Sequence, residues 1–312
     1  MVGNASERVS RAAHNAVVDA AYQNTGLLLE ALSSPRRSTR KGLIAILESM
    51  DIKDPDIVRF ARGRTRQAYE NMAAAALLNR QPGGAATDLL QDHLKQQARV
   101  DVEIILRVLA AHDSTGRIRI LARTLFYEDK RKADNSLEAL DSLLPQTVFR
   151  PLLPLLEEVD QDRAARIAGK FFKLSDFGDL SDLIDYIVGR GQWLELTLLL
   201  TVLGEHPSHQ DDSAVHDRLR RALGPLSDGY HLKHMHPSLQ RKDRKERSME
   251  PTISLTDKIL LVRDIDVFSD LSVSELAAVA SVTEAVSHPA NQVVIQEGDR
   301  GETMFLVVKG QV

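Results

Sequence analysis

The sequence predicts a mainly α-helical chain, an α-solenoid of stacked helix pairs, followed by a short β-meander. Apolar residues recur with helical spacing through most of residues 10–225. Short polar breaks divide this region into segments of about 10 to 17 residues. After residue 283 the pattern changes to valine-rich runs separated by glycine turns, which is typical of strands. A solenoid is preferred to a closed bundle because the segments are too many and too short for four long helices.

The apolar stripe at residues 180–188 illustrates the helical pattern. Leucine, isoleucine and valine recur there at positions i, i+3, i+4, i+7 and i+8, so they share one face of a helix. Asp179 is placed to cap this helix, and Asp182 lies in its first turn, where the helix dipole favours negative charge. Similar stripes occur at residues 43–50, 137–144 and 152–159.

Turn-forming residues mark where the predicted helices end. Asp54-Pro55 fits an N-cap followed by proline at the first helical position, where the missing N–H costs nothing. Other breaks fall at residues 33–35, 81–84, 113–116 and 205–207.

Residues 227–253 have no apolar period and predict a linker. Within it, the cluster of Arg241, Lys242, Arg244, Lys245 and Arg247 outweighs Asp243 and Glu246 to give a net charge of +3. This cluster is interpreted either as a solvated linker or as a patch that binds an anionic membrane surface. The spacing of His231, His234 and His236 suits metal ligands on a bent loop, since imidazole binds zinc or nickel. A polar linker that is rich in histidine is preferred, because no cysteine is available and only Asp228 lies close by as a carboxylate.

The pattern after the linker predicts two helices and then strands. Residues 255–263 form a short helix, and Ser272 with Glu275 makes a capping box for a second helix that runs to about Ser281. Strands are predicted at residues 284–288, 292–296 and 303–308. Asn291 stands at a turn where asparagine tolerates a positive φ, and the turn glycines are Gly298, Gly301 and Gly310.

Composition excludes several classes of protein. The chain has 312 residues with 40 basic and 44 acidic side chains, so a net charge of -4 gives no general attraction to nucleic acid. It contains no cysteine, which excludes disulfides and thiolate metal sites. No apolar run is long enough for a membrane helix, and no secretory signal is visible.

Phosphate-loop, dinucleotide, nucleophile-elbow and zinc-protease motifs do not occur, so we expect no catalytic residues, no metal site and no enzyme.

Residues 260–312 resemble the opening of a cyclic nucleotide-binding domain of the catabolite-activator type. The similarity is carried by Val267-Phe268-Ser269, Leu271 and Leu276, then by Glu297-Gly298-Asp299, Gly301, Met304-Phe305 and Gly310-Gln311-Val312. The resemblance implies a β-roll in which the three glycines have a structural role at turns. The cassette that holds the cyclic nucleotide in this family lies later than Val312, so no ligand-binding residue can be assigned. A complete domain would bind cAMP or cGMP, and this chain is expected to be a fragment with no cofactor of its own.

Residues 131–145 and 151–157 are similar to HEAT-like repeat regions of certain bacterial membrane proteins. In those proteins an ATP/ADP-translocase-like transporter precedes HEAT repeats and a cyclic nucleotide-binding domain. The resemblance extends over about residues 25–225 and implies a location in the cytoplasm or on the cytoplasmic side of a membrane protein.

The predicted organisation has four parts: a leader helix (residues 1–24), a HEAT-like helical repeat region (25–226), the polar basic linker (227–253) and an incomplete cyclic nucleotide-binding domain (254–312). The leading functional hypothesis is a non-enzymatic regulatory or scaffolding region that couples nucleotide sensing to a protein partner on the helical surface. Two alternatives remain open: a cytoplasmic appendage of a nucleotide-transporter-like membrane protein, and a free-standing HEAT-type interaction scaffold.

Overall fold

The fold is that of a computed structural model in which most of the chain is helical. It describes residues 12, 15–19, 25–32, 34, 37–48, 50, 54–81, 83–127, 130–157, 159, 161–205, 213–223, 253–298, 300–301 and 303–311.

The helices are numbered here from Thr25 onward. They are α1 (Thr25–Ala31), α2 (Arg37–Leu47), α3 (Asp54–Asn79), α4 (Ala85–His112), α5 (Arg117–Tyr127), α6 (Lys130–Leu143), α7 (Gln146–Leu156), α8 (Gln161–Ala168), α9 (Leu180–Arg190), α10 (Trp193–Glu205), α11 (Ser213–Leu223), α12 (Leu255–Arg263) and α13 (Val273–Ser281). A 3₁₀ turn, Asp266–Phe268, lies between α12 and α13.

The prediction of a mainly α fold is confirmed, and the prediction that the chain ends in the start of a β-roll is wrong. Residues 284–288, 292–296 and 303–308 form no strand, and no sheet occurs anywhere in the described ranges. Strand propensity measures how well a side chain packs on a pleated, half-buried surface, and it does not by itself create a sheet. No such surface forms here, since Val293 and Ile295 are 71% and 67% exposed. Valine content therefore predicted strands that have nothing to pair with.

Two helices are much longer than the predicted segments. Helix α3 has 26 residues and α4 has 28. The stretch Ala73–Ala76 lies inside α3, and alanine has the highest helix propensity of all residues. Between Pro55 and Pro82 no proline interrupts α3, so the helix continues to Asn79.

Contacts between helices divide the chain into two compact units. The first contains residues 1–80 and 94–180, and the second contains residues 81–93 and 181–312. The residues of α4 are thus shared: 85–93 belong to the second unit and 94–112 to the first.

In the first unit, helices that follow one another in the chain pack together, as α5 does with α6, α6 with α7 and α7 with α8. Helix α3 packs against both α7 and α8. The core of this unit is built from apolar side chains of α1 to α7, of which Leu32, Ile46, Ile105, Leu140 and Leu152 are fully buried.

Helix α7 contains Pro151 and Pro154, and α3 compensates for part of the resulting loss of hydrogen bonds. Proline has no N–H, so Pro151 cannot donate to the carbonyl of Thr147 four residues earlier. The Arg62 guanidinium donates to that carbonyl instead, at 2.8 Å. The Tyr69 hydroxyl donates to the carbonyl of Pro151, also at 2.8 Å. The stretch of α7 around Pro151 is therefore supported by two side chains of α3.

In the second unit, the predicted stripe of α9 is confirmed, since Leu183, Ile184 and Ile187 are buried. Helix α10 is buried on nearly all sides, with residues 194–200, 202 and 203 buried. It packs against α11 and α12, and the hydroxyls of Thr201 and Thr256 form a hydrogen bond of 2.9 Å between α10 and α12.

The helices predicted after the linker are also confirmed. Helix α12 occupies residues 255–263, as predicted. The capping box of α13 is present: the Glu275 N–H donates to the Ser272 hydroxyl at 3.3 Å, and the Ser272 N–H donates to the Glu275 carboxylate at 3.0 Å.

Residues 227–252 of the predicted linker, with the basic cluster at 241–247 and the three histidines, lie outside the described residues.

Within the described part of the chain, none of the helices has the combination of length and apolar character needed to cross a membrane.

Candidate functional site

The most unusual surface of the chain is the segment that follows α13, residues 283–311, called here the C-terminal segment. It contains no helix and no strand in its described residues, and it turns at residues 290–291 and 297–298. Eight of its large apolar side chains are exposed: Val286, Val293, Ile295, Met304, Phe305, Leu306, Val307 and Val308. Exposed apolar residues are ordinary when they occur singly, but a concentration of this kind marks interaction sites.

Lys258 of α12 binds the first residue of the C-terminal segment. Its ammonium donates to the carbonyl of Thr283 at 2.6 Å, just beyond the end of α13. A cation is favourable there because the C-terminus of a helix carries partial negative charge. Burial lowers the pKa of the Lys258 ammonium, and the nearby charge of Glu284 acts in the opposite direction. The segment thus begins at a carbonyl held by a side chain of α12.

The backbone of the C-terminal segment is open to pairing. Among its described residues, one hydrogen bond joins backbone atoms, from the Gln292 N–H to the Pro289 carbonyl at 3.2 Å. The His288 ring and the Gln292 side chain also form a hydrogen bond of 3.2 Å across this turn. Thr283 is held by the helices, because its N–H donates to the Ala280 carbonyl at 3.3 Å and its carbonyl accepts from Lys258. The remaining described N–H and C=O groups of the segment are open to solvent or to another chain, as they are at the edge of a sheet.

The turns of the segment use residues that tolerate a positive φ. Asn291 has φ 64°, as the sequence predicts for this turn, and Gly298 and Gly310 have φ 95° and 116°. Gly301 lies outside this region of backbone conformation. A side chain at Gly298 or Gly310 would strain the backbone. All three glycines are found in irregular backbone, because the sheet implied by the family resemblance does not form.

A buried charged cluster in the second unit is the strongest candidate for chemistry. The Arg190 guanidinium forms an ion pair with the Glu195 carboxylate, with a nitrogen–oxygen distance of 3.0 Å. The same carboxylate oxygen lies 3.7 Å from His93 Nε2. Arg190 also donates to the Tyr186 hydroxyl at 2.8 Å and lies over the Tyr186 ring. The side chains of His93 and Glu195 are only 4% and 1% exposed.

This cluster ties three helical segments together inside one unit. His93 comes from α4, Arg190 from α9 and Glu195 from α10. Two of its buried atoms, His93 Nδ1 and Glu195 Oε2, have no hydrogen-bond partner among the described residues. A catalytic His–Glu pair has to reach a substrate, and these side chains are closed off from solvent. We therefore assign the cluster to the core, where an ion pair is costly to break.

Sequence reasoning did not find this cluster. Glu195 stood out only as an interruption of the apolar run 193–203, and His93 was one of several scattered histidines. A carboxylate inside an otherwise apolar helix is a signal that it needs a buried cation, but the partners lie on distant segments of the chain. A buried carboxylate of the first unit, Asp101, also has partners that are distant in sequence. Arg64 pairs with it at 2.6 Å, and the Asn71 side-chain amide donates to it at 3.4 Å.

Glu205 is a further ionisable group with an unusual environment. Its carboxylate accepts a hydrogen bond from the Ala86 N–H in the first turn of α4, and a Cβ on Gly84 would lie 2.6 Å from it. Burial raises the pKa of the Glu205 carboxyl, the Ala86 hydrogen bond works against the rise, and the charges of Asp257 and Asp88 reinforce it. Since the remaining side chain is exposed, this is a helix cap and not an isolated acid.

Metal binding has no obvious place in the described part of the chain. No group of three or more histidine, aspartate or glutamate side chains there is arranged to hold an ion.

Comparisons of this chain with protein-family models, with curated proteins and with solved structures give no match. The resemblances to HEAT repeats and to a cyclic nucleotide-binding domain therefore stay predictions from the sequence. The β-roll that the second resemblance implied does not form in the described residues.

Proposed function

We propose that this chain is a non-enzymatic interaction module of the regulatory or scaffolding class, in which a helical body presents the C-terminal segment to a protein partner. One observation carries the proposal: eight large apolar side chains are exposed within residues 283–311, on backbone that forms no ladder of its own.

The chemistry of the segment favours a partner with a free sheet edge. A peptide that joins such an edge gains main-chain hydrogen bonds, and its alternate side chains fill pockets on the partner. Val293 and Ile295 are two residues apart, so they would share one face of a strand formed on binding. Both side chains are already exposed in the free chain, so binding them requires no unfolding of the helical body.

The proposal differs from the leading sequence hypothesis in what the C-terminal part does. That hypothesis assigned nucleotide sensing to residues 254–312, whereas we assign protein binding to residues 283–311. The helical body keeps its proposed scaffolding role, which is supported by its regular helix-on-helix packing.

Site-specific photo-crosslinking in the cells that express this chain tests the proposal. Phe305 is replaced by a photoreactive phenylalanine analogue, and the matched control carries the same analogue at Arg123, an exposed position of α5. We expect a discrete adduct with one polypeptide from position 305 and none from position 123. The adduct should disappear when Val293→Asp and Ile295→Asp are added, because charges on that face cannot enter an apolar interface.

Circular dichroism provides the folding control for the aspartate variant. Its helix content should equal that of the parent chain, since Val293 and Ile295 contribute no buried contact to the helices. Identical adducts from positions 305 and 123, or an adduct that survives both aspartates, would contradict the proposed role of the segment.

A further inference from the structure

A second site lies in the first unit, where four helices leave an open pocket of about 270 Å³. Its walls are the ends of α5 and α7 together with the middle of α3 and α4, and its apolar lining includes Met72, Val102, Leu125, Phe126, Leu155 and Leu156. Most of these side chains are only partly buried, so the lining is accessible from solvent.

Two cationic side chains on α4 complete the lining. Lys95 and Arg99 are four residues apart and therefore stand on the same face of the helix. Both are exposed, and neither has an ion pair or a hydrogen bond with any other described residue. Glu103, one turn further along α4, is engaged by Arg107. The positive charge beside the pocket thus has no partner within the described structure.

The pocket combines an apolar wall with an unmatched pair of positive charges. Ligand pockets are mostly apolar and contain a few polar groups that fix the orientation of the ligand. The volume is slightly below the 300–1,000 Å³ range of typical small-molecule sites, so a nucleotide or a two-chain lipid is too large for it. A single short acyl chain that ends in an anionic group fits both the volume and the charge.

We infer that this pocket binds a small amphipathic anion, with an acyl chain against Phe126 and Leu155 and a carboxylate beside Lys95 and Arg99. The inference is independent of the proposed protein-binding role, because it uses none of the residues in the C-terminal segment.

Octanoate is a suitable probe, with 1-octanol as the neutral analogue and acetate as the isolated anionic group. The whole 312-residue chain is labelled with ¹³C at its six methionine methyl groups, and each compound is titrated into the labelled protein. Met72 lies in the pocket and reports on the site itself. Met304 lies in the C-terminal segment and reports on non-specific apolar binding there.

We expect octanoate to shift the Met72 signal saturably, with a Kd below about 1 mM. Octanol should bind more weakly and acetate should leave the signal unchanged. The double variant Lys95→Gln, Arg99→Gln should weaken octanoate binding about tenfold, since it removes both charges from the pocket. The matched variant Arg117→Gln, Lys173→Gln makes the same change of charge at two residues outside the pocket and should have no effect.

Filling the pocket gives a second, independent variant. Ala98→Leu adds apolar volume to the lining without a change of charge and should also abolish the Met72 shift. Helix content measured by circular dichroism confirms that each variant is folded.

Three results would overturn the inference: a Met72 signal that does not respond to octanoate, one that responds equally to octanol, or one that responds equally in the Lys95, Arg99 variant. Vesicles of anionic phospholipid form a separate arm. If the chain sediments with them while octanoate leaves Met72 unmoved, the charges bind a membrane surface and the pocket does not bind a free acid.

Discussion

Glu205 shows how a single carboxyl can link the ends of two helices. It is the last residue of α10, and its carboxylate accepts from the Ala86 N–H in the first turn of α4, close to Gly84. Glycine at position 84 leaves the space that this contact needs. The N–H groups in the first turn of a helix have no partner within the helix, so an acceptor supplied from elsewhere in the fold stabilises its start.

The raised pKa of Glu205 leads to a prediction about pH. Because the folded value lies above 4.5, the folded chain binds more protons than the unfolded chain between pH 4.5 and the raised value. The contribution of this carboxyl to stability therefore falls as the pH rises through that interval. The side chain is exposed, so screening keeps the effect to about a few tenths of a kcal/mol.

An NMR titration of the Glu205 carboxyl carbon measures this pKa directly. We expect a value above 4.5 that falls part of the way back in Asp88→Asn, because that change removes one neighbouring negative charge while burial remains. Asp270→Asn, the same change at an exposed aspartate of the second unit, serves as the control and should not move it. A pKa at or below 4.5 in the parent chain would be inconsistent with this environment.

At the scale of elements, α3 and α7 are joined by a hydrogen bond to a carbonyl that Pro151 leaves without its helical donor. Pro151 leaves the Thr147 carbonyl without its helical donor, and Arg62 supplies one. Arg62 also lies over the Phe172 ring at 5.3 Å. The side chain therefore has two roles, and only the first depends on the proline.

A double-mutant cycle separates these two roles. Arg62→Met should lower the free energy of unfolding by about 1 kcal/mol in the parent chain. In the Pro151→Ala background the same change should cost less, because alanine restores the N–H that Thr147 needs. The measurement is urea unfolding followed by circular dichroism.

Arg59→Met is the matched control for this cycle. Arg59 is on the same helix and its side chain is 81% exposed, so its replacement should cost almost nothing in either background. If Arg62→Met costs the same with proline and with alanine at position 151, the Thr147 hydrogen bond is not what the arginine contributes.

The elements also show which features of this chain can be predicted from sequence. The stripe at 180–188, the helix at 255–263 and the capping box at Ser272 all depend on residues within one or two helical turns, and all three form as predicted. The predicted breaks at Asp54-Pro55, 81–84 and 113–116 coincide with the ends of α3 and α4. The expected segment length of about 10 to 17 residues was nevertheless too short for these two helices, which have 26 and 28 residues.

The predicted strands failed for a different reason. A strand exists only when another strand pairs with it, and that information is not contained in a valine-rich run. The runs at 292–296 and 303–308 were predicted as strands and not as a candidate site, because the exposure of their side chains depends on whether a sheet forms. Nor could the pocket beside Lys95 be predicted, because its lining comes from four helices that are far apart in sequence.

At the scale of the whole molecule, the three functional hypotheses share the helical body and differ in what the C-terminal part does. A scaffold and a transporter appendage both need a surface that binds protein, and we propose that the C-terminal segment is that surface. Its exposed apolar side chains would also favour aggregation in the absence of a partner. Occupation of the segment by a partner is thus expected to keep the chain soluble at high concentration.

Amide hydrogen exchange of the free 312-residue chain is the most direct test of this account. We predict that amides of residues 292–296 and 303–308 exchange without protection, while those of α3, α4 and α10 are strongly protected, because only the helices form hydrogen-bonded backbone. Strong protection at both 292–296 and 303–308 in the free chain would show that these residues are already paired in a sheet, and would contradict the claim that the C-terminal segment is available to a partner.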